Sequence, residues 1–340
     1  MVISAPIIPV SVPFCQPQSW KNELKTAISS VDELLNYVQI NKREISHLIV
    51  EENNFSVRVP LAYANKMEKG NINDPLLLQV LPRNDEDTDQ VGYIKDPLNE
   101  QTPKISSLLH KYHGRALLML SGACAVNCRY CFRRHFPYTQ HRFDNKAQID
   151  ALRYIAMDPS ISEVILSGGD PLMKQDKSID ALLTELEKIP HLRRLRIHTR
   201  LPVVIASRLT SELAQRLASS RFSVSLVLHI NHENEIDSEL ARQLQIYLTL
   251  GITILNQSVL LKDINDSSTI LCELSEKLFD VGVLPYYLHL LDPVEGAAHF
   301  NVPRNIATQI MKDLTAYLPG YLVPKLVQEV AGELSKRAIY

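Results

Sequence analysis

Cysteine is sparse in this chain, with five in 340 residues, and the formal net charge at pH 7 is only -2. So few cysteines predict neither a disulfide framework nor a secreted protein. The small net charge gives no electrostatic basis for binding nucleic acid or an anionic membrane surface. The longest apolar run, residues 116–120, is far too short to span a bilayer. Secreted, membrane-spanning and nucleic-acid-binding proteins are therefore disfavoured before any motif is considered.

The N-terminus also lacks the features of a targeting sequence. Its first residues, MVISAPIIPVSVPF, are apolar, but they contain no early basic residue and are interrupted by prolines. We therefore expect a cytoplasmic protein. The sequence has no internal repeats and no low-complexity tract, and its length allows one large domain or two.

Three of the cysteines lie within eight residues, at Cys124, Cys128 and Cys131 in SGACAVNCRYCFRRHF. Thiolates bind soft metals and iron–sulfur clusters. A structural zinc site or a closed cluster needs four protein ligands, but no fourth cysteine follows within the next hundred residues. Three thiolates on a four-iron cube leave one iron open to bind a substrate. This spacing is typical of radical S-adenosylmethionine (SAM) enzymes.

A zinc site is the main alternative for these cysteines. His135 could complete a Cys₃His set, but the second ligand pair of zinc fingers is missing. A non-catalytic iron–sulfur or zinc protein is therefore the competing class. Cys15 and Cys272 are isolated and are interpreted as small apolar residues.

The chain divides into two regions by pattern. Residues 1–105 are expected to be mainly helical, since apolar residues recur at helical spacing over residues 23–48, with Ser30 and Asp32 as start signals. Residues 106–340 show short apolar runs that alternate with amphipathic stretches, for which Ser178 and Thr210 suit N-cap positions.

Six apolar runs predict strands, at residues 116–120, 163–167, 193–198, 224–229, 252–259 and 284–291. Their alternation with helices predicts an α/β fold with a parallel sheet and right-handed crossovers. Unusual polar residues follow the C-terminal end of every run, which is where barrel enzymes carry their chemistry. An open doubly wound sheet would instead gather its ligands at one switch point. We therefore predict a partial (β/α)₆ TIM-like barrel.

Two short motifs are candidate binding sites. In SGGDPL, Gly168 and Gly169 precede Asp170 and would let the backbone approach a ligand closely, although such a pair is usually a simple turn. Arg133 follows Cys131, and its guanidinium suits a substrate carboxylate, although a solvated basic pair is the ordinary interpretation. Asp292 ends the sixth run and could cap a helix or neutralise a substrate ammonium.

Five motifs, in order, resemble the lysine 2,3-aminomutase family: HKYHGRALLMLSGACAVNCRYCFRR, LSGGDPL, RIHTRLPVV, LNQSVLL and LPYYLHLLD. A weaker resemblance extends upstream through RVPLAYANKMEKGNINDPLLLQVLP. CRYCFRRHFPY and GAAHF are most similar to the short bacterial type that serves elongation factor P modification. The resemblance implies an isomerase that moves the α-amino group of L-lysine to the β-carbon. A radical SAM aminomutase for another amino acid is the alternative.

The resemblance implies three cofactors: a [4Fe–4S] cluster on the three cysteines, SAM, and pyridoxal 5′-phosphate (PLP). SAM would be contacted by Gly168, Gly169, Asp170 and Gln257. In the family, the PLP lysine follows an acid by seven residues, which here identifies Lys336 after Glu329 as the catalytic lysine. Arg115 matches the arginine that contacts the PLP phosphate. The family's acid is aspartate, and of its glycines in this loop only Gly332 is present.

The resemblance also implies the substrate contacts and partners. Arg133 would bind the carboxylate of L-lysine, and Asp292 with Glu329 would bind its ε-ammonium. A neutral side chain would leave both acids without a partner, and glutamate would place like charges together. The expected partners are a reductant of flavodoxin or ferredoxin type, a functionally linked lysyl-ligase for elongation factor P, and further copies of the chain as a homo-oligomer. Neither nucleic acid nor a membrane is expected.

Overall fold

The computed structural model describes residues 19–50, 55–103 and 105–339. Cys15 and the apolar N-terminal stretch therefore lie outside the described residues. The helices are α1 Trp20–Lys25, α2 Val31–Tyr37, α3 Lys42–Ile45, α4 Leu61–Ala64, α5 Pro75–Leu78, α6 Asn145–Met157, α7 Asp176–Glu187, α8 Leu201–Val204, α9 Ser211–Ala218, α10 Ser238–Thr249, α11 Ser268–Asp280 and α12 Arg304–Tyr317. The strands are β1 Leu108–Tyr112, β2 Arg115–Ser121, β3 Glu163–Gly168, β4 Arg194–Thr199, β5 Ser223–His229, β6 Thr253–Val259, β7 Leu284–His289, β8 Lys325–Gln328 and β9 Arg337–Ala338.

The strands form one sheet in the order β1 to β9. Strands β2 to β8 are parallel, and β1 and β9 pair antiparallel with the two edges of that set. A helical connection separates each pair of parallel neighbours, so the predicted α/β fold with six β/α units is confirmed. β8 is a further parallel strand that the sequence did not predict, because only two of its four residues are buried.

Helix N-termini test the start signals directly. Thr210 caps α9, since its side chain accepts a hydrogen bond from the backbone N–H of Leu213, as predicted. The prediction for Ser178 was wrong, because α7 begins at Asp176 and Ser178 lies within its first turn. Residue 175, a glutamine without a capping hydrogen bond, precedes this helix.

The N-terminal region of helical spacing, residues 23–48, contains short helices. These are α2 and α3, together with the end of α1. Ser30 does start α2, where its hydroxyl accepts from the Glu33 N–H, and Asp32 lies in that helix's first turn. Gln39 has a left-handed backbone with φ of 60°, which cannot continue a right-handed helix and so separates α2 from α3.

One apolar core joins the N-terminal helices to the sheet. It includes Leu34 and Tyr63 from the short helices together with Leu118 and Leu226 from the strands. Cys272 packs against this core from α11, as expected for a small apolar residue. The division of the chain near residue 105 into two domains stays a prediction. Over the described ranges, no helix is both long and apolar enough to cross a bilayer.

Candidate functional site

The curved sheet encloses one cavity of about 370 Å³ that strands β1 to β8 or the loops after them help to line. This is the size range of small-molecule sites. Every residue that the sequence singled out for the site lies on its wall: Arg115, Cys124, Cys128, Cys131, Arg133, Gly168, Gly169, Asp170, Gln257, Asp292, Glu329 and Lys336. The roles of these residues stay predictions, but their convergence from positions more than two hundred residues apart defines a single candidate active site.

The three cysteines lie in the loop that follows β2, and their thiols are free. Burial raises the pKa of Cys131 to about 11 and also raises the pKa of Cys124, so as isolated thiols both are protonated at neutral pH. His135, the alternative zinc ligand, lies with Nε2 3.2 Å from the Glu295 carbonyl oxygen. Among the described residues, no three His, Cys, Asp or Glu side chains meet closely enough to hold a single metal ion. A four-iron cube is wider than one ion, and three soft sulfur donors on one cavity wall fit it.

Gly168 and Gly169 hold the cysteine loop against the sheet. The Gly169 N–H donates to the Ser121 carbonyl oxygen at 2.7 Å, and the Asp170 N–H donates to that of Ala123 at 3.0 Å. A Cβ on Gly168 would lie 2.7 Å from the Ser121 oxygen, and one on Gly169 would lie 2.7 Å from the Ala123 oxygen. The two glycines are therefore required where the backbones of two neighbouring loops touch.

A substitution at this contact should disturb both stability and cluster loading. We expect Gly168→Ala to cost at least about 3 kcal/mol, because its φ of +117° is unfavourable for alanine and its Cβ meets fixed backbone. Gly251→Ala is the matched control, since its φ is +80° but nothing lies within 4 Å of its Cβ. It should cost about 1 kcal/mol. Thermal melting measures the loss of stability, and iron content after anaerobic reconstitution measures cluster loading. Equal losses in Gly168→Ala and Gly251→Ala would contradict this assignment.

Asp170 has a structural task in the same place. Its carboxylate accepts hydrogen bonds from the Thr199 hydroxyl at 2.7 Å and from the backbone N–H groups of Leu172, Arg200 and Leu201 at 2.8–3.0 Å. These bonds tie the loop after β3 to the loop after β4. Asp170 thus positions the wall of the cavity, and its carboxylate oxygens are already used in doing so.

Arg200 places a buried positive charge beside the cysteine loop. Its guanidinium lies 2.8 Å from the Cys128 sulfur and donates to Gln79 Oε1 at 2.7 Å and to the Tyr63 hydroxyl at 3.0 Å. Glu235, fully buried, completes the group at 3.1 Å. Sequence reasoning missed Gln79 and Tyr63 because they come from the short N-terminal helices.

Arg133 is held rigidly, whereas its neighbour Arg134 is used elsewhere. The Arg133 Nε donates to Glu100 Oε2 at 2.7 Å, and Nη1 donates to the Gly168 carbonyl oxygen at 3.2 Å. Burial alone would lower the pKa of Arg133, but Glu100 outweighs it and raises that pKa. Arg134 donates to the Gly296 carbonyl oxygen at 2.9 Å and is structural. The sequence did not predict Glu100.

Two acids and the predicted cofactor lysine meet at another part of the wall. Lys336 Nζ lies 2.5 Å from Glu329 Oε2. Asp292 caps no helix, so the capping alternative was wrong: the next helical turn begins at Ala298 after Ala297. Its Oδ1 is shielded from solvent and has no hydrogen-bond partner within the described part of the chain. Burial, and then the Glu329 charge, raise the pKa of Asp292 to about 7.

The residues around Lys336 fit a phosphorylated aromatic aldehyde. Arg115, the first residue of β2, lines the same cavity, and its guanidinium lies 4.8 Å from the Tyr112 ring centroid. The buried His198 Nε2 lacks a hydrogen-bond partner in the described ranges, and burial with the Arg196 charge lowers its pKa well below 6.5. The Lys336 amine, the Arg115 guanidinium and the neutral His198 imidazole, which has an unused nitrogen, therefore face one space. Gln257 lies on β6 beside His229 of β5 and faces that space too.

Known proteins are similar to this chain over most of its length. Residues 118–267 match the family model described as Radical SAM superfamily. The L-lysine 2,3-aminomutase of Escherichia coli strain K12 is 49% identical over 94% of this chain and 94% of that protein. The enzymes of the same name from Haemophilus influenzae and Clostridium subterminale are 49% identical over 97% and 33% identical over 92% of this chain, covering 98% and 76% of their own lengths.

Among solved structures, a radical SAM methyltransferase from Sphaerobacter thermophilus has a TM-score of 0.44 at 18% identity, covering 66% of this chain and 71% of that one. The near-full-length identity to the aminomutases is the decisive similarity. The chain belongs to the L-lysine 2,3-aminomutase family of radical SAM enzymes.

Proposed function

We propose that this protein is an isomerase that converts L-lysine to β-lysine by moving the α-amino group to the neighbouring carbon. One observation supports the proposal above all: a single cavity holds three thiols, an amine, a rigid arginine and two acids. The arginine and the two acids match an α-amino acid with a terminal ammonium. The thiols match the iron–sulfur cluster of the family, and the amine matches its PLP.

The proposed roles follow from this placement. When bound, the [4Fe–4S] cluster with SAM supplies an organic radical, and PLP supplies a carrier for the migrating amino group. The cluster would be held by Cys124, Cys128 and Cys131, SAM by Gly168, Gly169, Asp170 and Gln257, and PLP by Lys336 and Arg115. The chain itself must hold these groups and the substrate in a fixed geometry and keep water away from the reacting carbon.

Substrate recognition is proposed to depend on charge at both ends. Arg133 would bind the α-carboxylate with the guanidinium edge that Glu100 and Gly168 leave free. Asp292 and Glu329 would bind the ε-ammonium in a poorly hydrated site. Norleucine would bring no ammonium to the two acids, and glutamate would add a third negative charge, so both should be rejected.

An anaerobic assay tests the proposed function. Reconstituted holoenzyme with SAM and a reductant should convert L-lysine to β-lysine, and omission of SAM should abolish the reaction. L-glutamate and L-norleucine serve as competing amino acids. Turnover of glutamate in preference to lysine would reassign the enzyme to another substrate, whereas failure with every amino acid would contradict an aminomutase.

Lys336 should carry the cofactor. We expect borohydride reduction of the PLP-loaded protein to leave a pyridoxyl group on the peptide that contains Lys336, because its amine lies in the same cavity as Arg115. Lys111 is the natural internal comparison, since its amine also lines this cavity. Peptide mapping that places the label on Lys111 would refute the assignment, and Lys336→Arg should remove the label altogether.

We further propose, from the resemblance, that β-lysine made here is used by a lysyl-ligase acting on elongation factor P. Reduction of the cluster by a protein of flavodoxin or ferredoxin type, and assembly into a homo-oligomer, belong to the same proposal. Incorporation of isotopically labelled β-lysine into elongation factor P, with and without this protein in the cell, would test the first of these.

A further inference from the structure

A chain of five alternating charges runs along the cavity wall, joining the proposed cofactor lysine to the proposed carboxylate-binding arginine. Lys336 Nζ lies 2.5 Å from Glu329 Oε2, and Lys111 Nζ lies 2.9 Å from Glu329 Oε1. The same Lys111 Nζ lies 2.8 Å from Glu100 Oε1, while Arg133 Nε lies 2.7 Å from Glu100 Oε2. Each carboxylate thus uses one oxygen for each neighbour, so a displacement of one member reaches the next.

Glu100 and Lys111, two of the three inner members, are poorly accessible and strongly engaged. Glu100 is only 4% exposed, and burial would raise its pKa, but Arg133 and Lys111 outweigh burial and lower that pKa. The Lys111 side chain is 26% exposed, and its two carboxylate partners raise its pKa against the effect of burial. Both groups are therefore charged at neutral pH. Removing one of them would leave each of its neighbours with one counter-charge fewer in a poorly accessible place, which is costly.

Lys111 and Glu100 belong to neither cofactor nor substrate in the proposed function. Glu100 comes from the segment before β1, and Lys111 lies on β1, the antiparallel edge strand. Because Lys336 is assigned to PLP, Lys111 is the cation that continues to face Glu329 when the cofactor is bound. Above the pKa of Asp292, the two acids offered to the substrate ammonium carry two negative charges, and Lys111 offsets one of them.

We propose that Lys111 and Glu100 are positioning residues that fix Glu329 and Arg133 in one frame, and that the charge of Lys111 matches the site to an amino acid with a single terminal ammonium. This inference rests on the proposed lysine site. Discrimination between substrate side chains then depends on Lys111 and Glu100 as well as on the two acids, Asp292 and Glu329.

A consequence for pH dependence follows from the charges that face Asp292. Glu329 and Glu100 favour its protonated form, whereas Lys336 and Lys111 favour its carboxylate. If Lys111 is neutralised, the balance becomes more negative, and Asp292 takes up a proton at higher pH. Binding of the substrate ammonium then weakens at a higher pH than in the wild type.

The test uses cofactor-loaded holoenzyme and the variants Lys111→Met, Lys111→Gln and Lys111→Arg. In the two neutral variants, the acid limb of kcat/KM for lysine should move to higher pH by about one unit, a tenfold loss on that limb. KM at neutral pH should rise more than kcat falls. Lys111→Arg keeps the charge and should keep the limb at its wild-type pH. Lys188→Met is the control for an exposed lysine, since that side chain is 64% exposed.

A binding measurement separates this effect from radical chemistry. Without SAM, the lysine dissociation constant, followed by cofactor absorbance, should rise at neutral pH in Lys111→Met and in Glu100→Gln. The double variant Lys111→Met with Asp292→Asn should show no such acid limb, because it lacks the Asp292 carboxyl group. A persistent shifted limb in that double variant, or a wild-type limb and KM in both neutral variants, would overturn the inference while leaving the lysine reaction intact. A wild-type enzyme that neither binds nor isomerises lysine would overturn both proposals.

Discussion

Cys128→Ala should abolish SAM cleavage and prevent assembly of a complete cluster. The physical reason is the ligand count, since three thiolates on a four-iron cube leave one iron free and a lost ligand removes the closed arrangement of the other three. Wild-type protein should take up about four irons per chain on anaerobic reconstitution, with the broad visible absorption of such clusters. The variant should take up clearly less iron and yield no 5′-deoxyadenosine above background.

Cys272→Ala is the matched control for this experiment. Cys272 packs against the core from α11 and does not line the cavity, so its loss should leave iron content and SAM cleavage as in the wild type. Stoichiometric zinc without iron uptake in the wild type would contradict the cluster assignment. So would full SAM cleavage by Cys128→Ala.

Asp292→Asn should lower kcat/KM for lysine by one to several orders of magnitude. Truncating one partner of a buried charge pair costs about 2–5 kcal/mol, because the other charge is left without its partner. The decisive comparison is lysine against norleucine, which has the same chain length but no ammonium. Wild type should favour lysine strongly, and the variant should lose most of that preference. If Asp292→Asn discriminates as well as wild type does, lysine recognition lies elsewhere.

The same carboxyl group should set the acid limb of the pH profile. Its pKa is raised to about 7, so Asp292 is protonated below that pH and ionised above it. Only the ionised form attracts the substrate ammonium, and kcat/KM for lysine should therefore fall as the pH drops through about 7. Asp292→Asn should lack this limb. An unchanged limb in the variant would assign it to another group.

The barrel and the position of the site were predictable because they depend on local patterns. Apolar runs and amphipathic stretches alternate, and the carboxyl ends of parallel strands meet at one edge. The chain thus brings Cys124 and Asp292 to one cavity although 168 positions separate them. Lys336 was found only through the resemblance, since a lysine near a C-terminus carries no distinctive pattern of its own.

The contacts that the sequence did not reveal are long-range ion pairs. Lys111 pairs with Glu329 over a separation of 218 residues, and no periodicity links two such positions. HKYHGR begins the first of the five motifs that resemble the family, but that resemblance does not indicate that its lysine, Lys111, bridges two acids. The break between α2 and α3 was not predicted for a different reason: Gln39 adopts a left-handed conformation that apolar spacing cannot reveal.

In the proposed reaction, the amino group of lysine moves within one molecule, and an isotope label tests this most directly. L-Lysine labelled with nitrogen-15 at the α-amino group is incubated anaerobically with the holoenzyme, SAM, a reductant and unlabelled ammonium. The label should appear on the β-carbon of the product with undiminished enrichment. Dilution of the label by the ammonium, or recovery of all the label at the α-carbon while SAM is cleaved, would contradict the account.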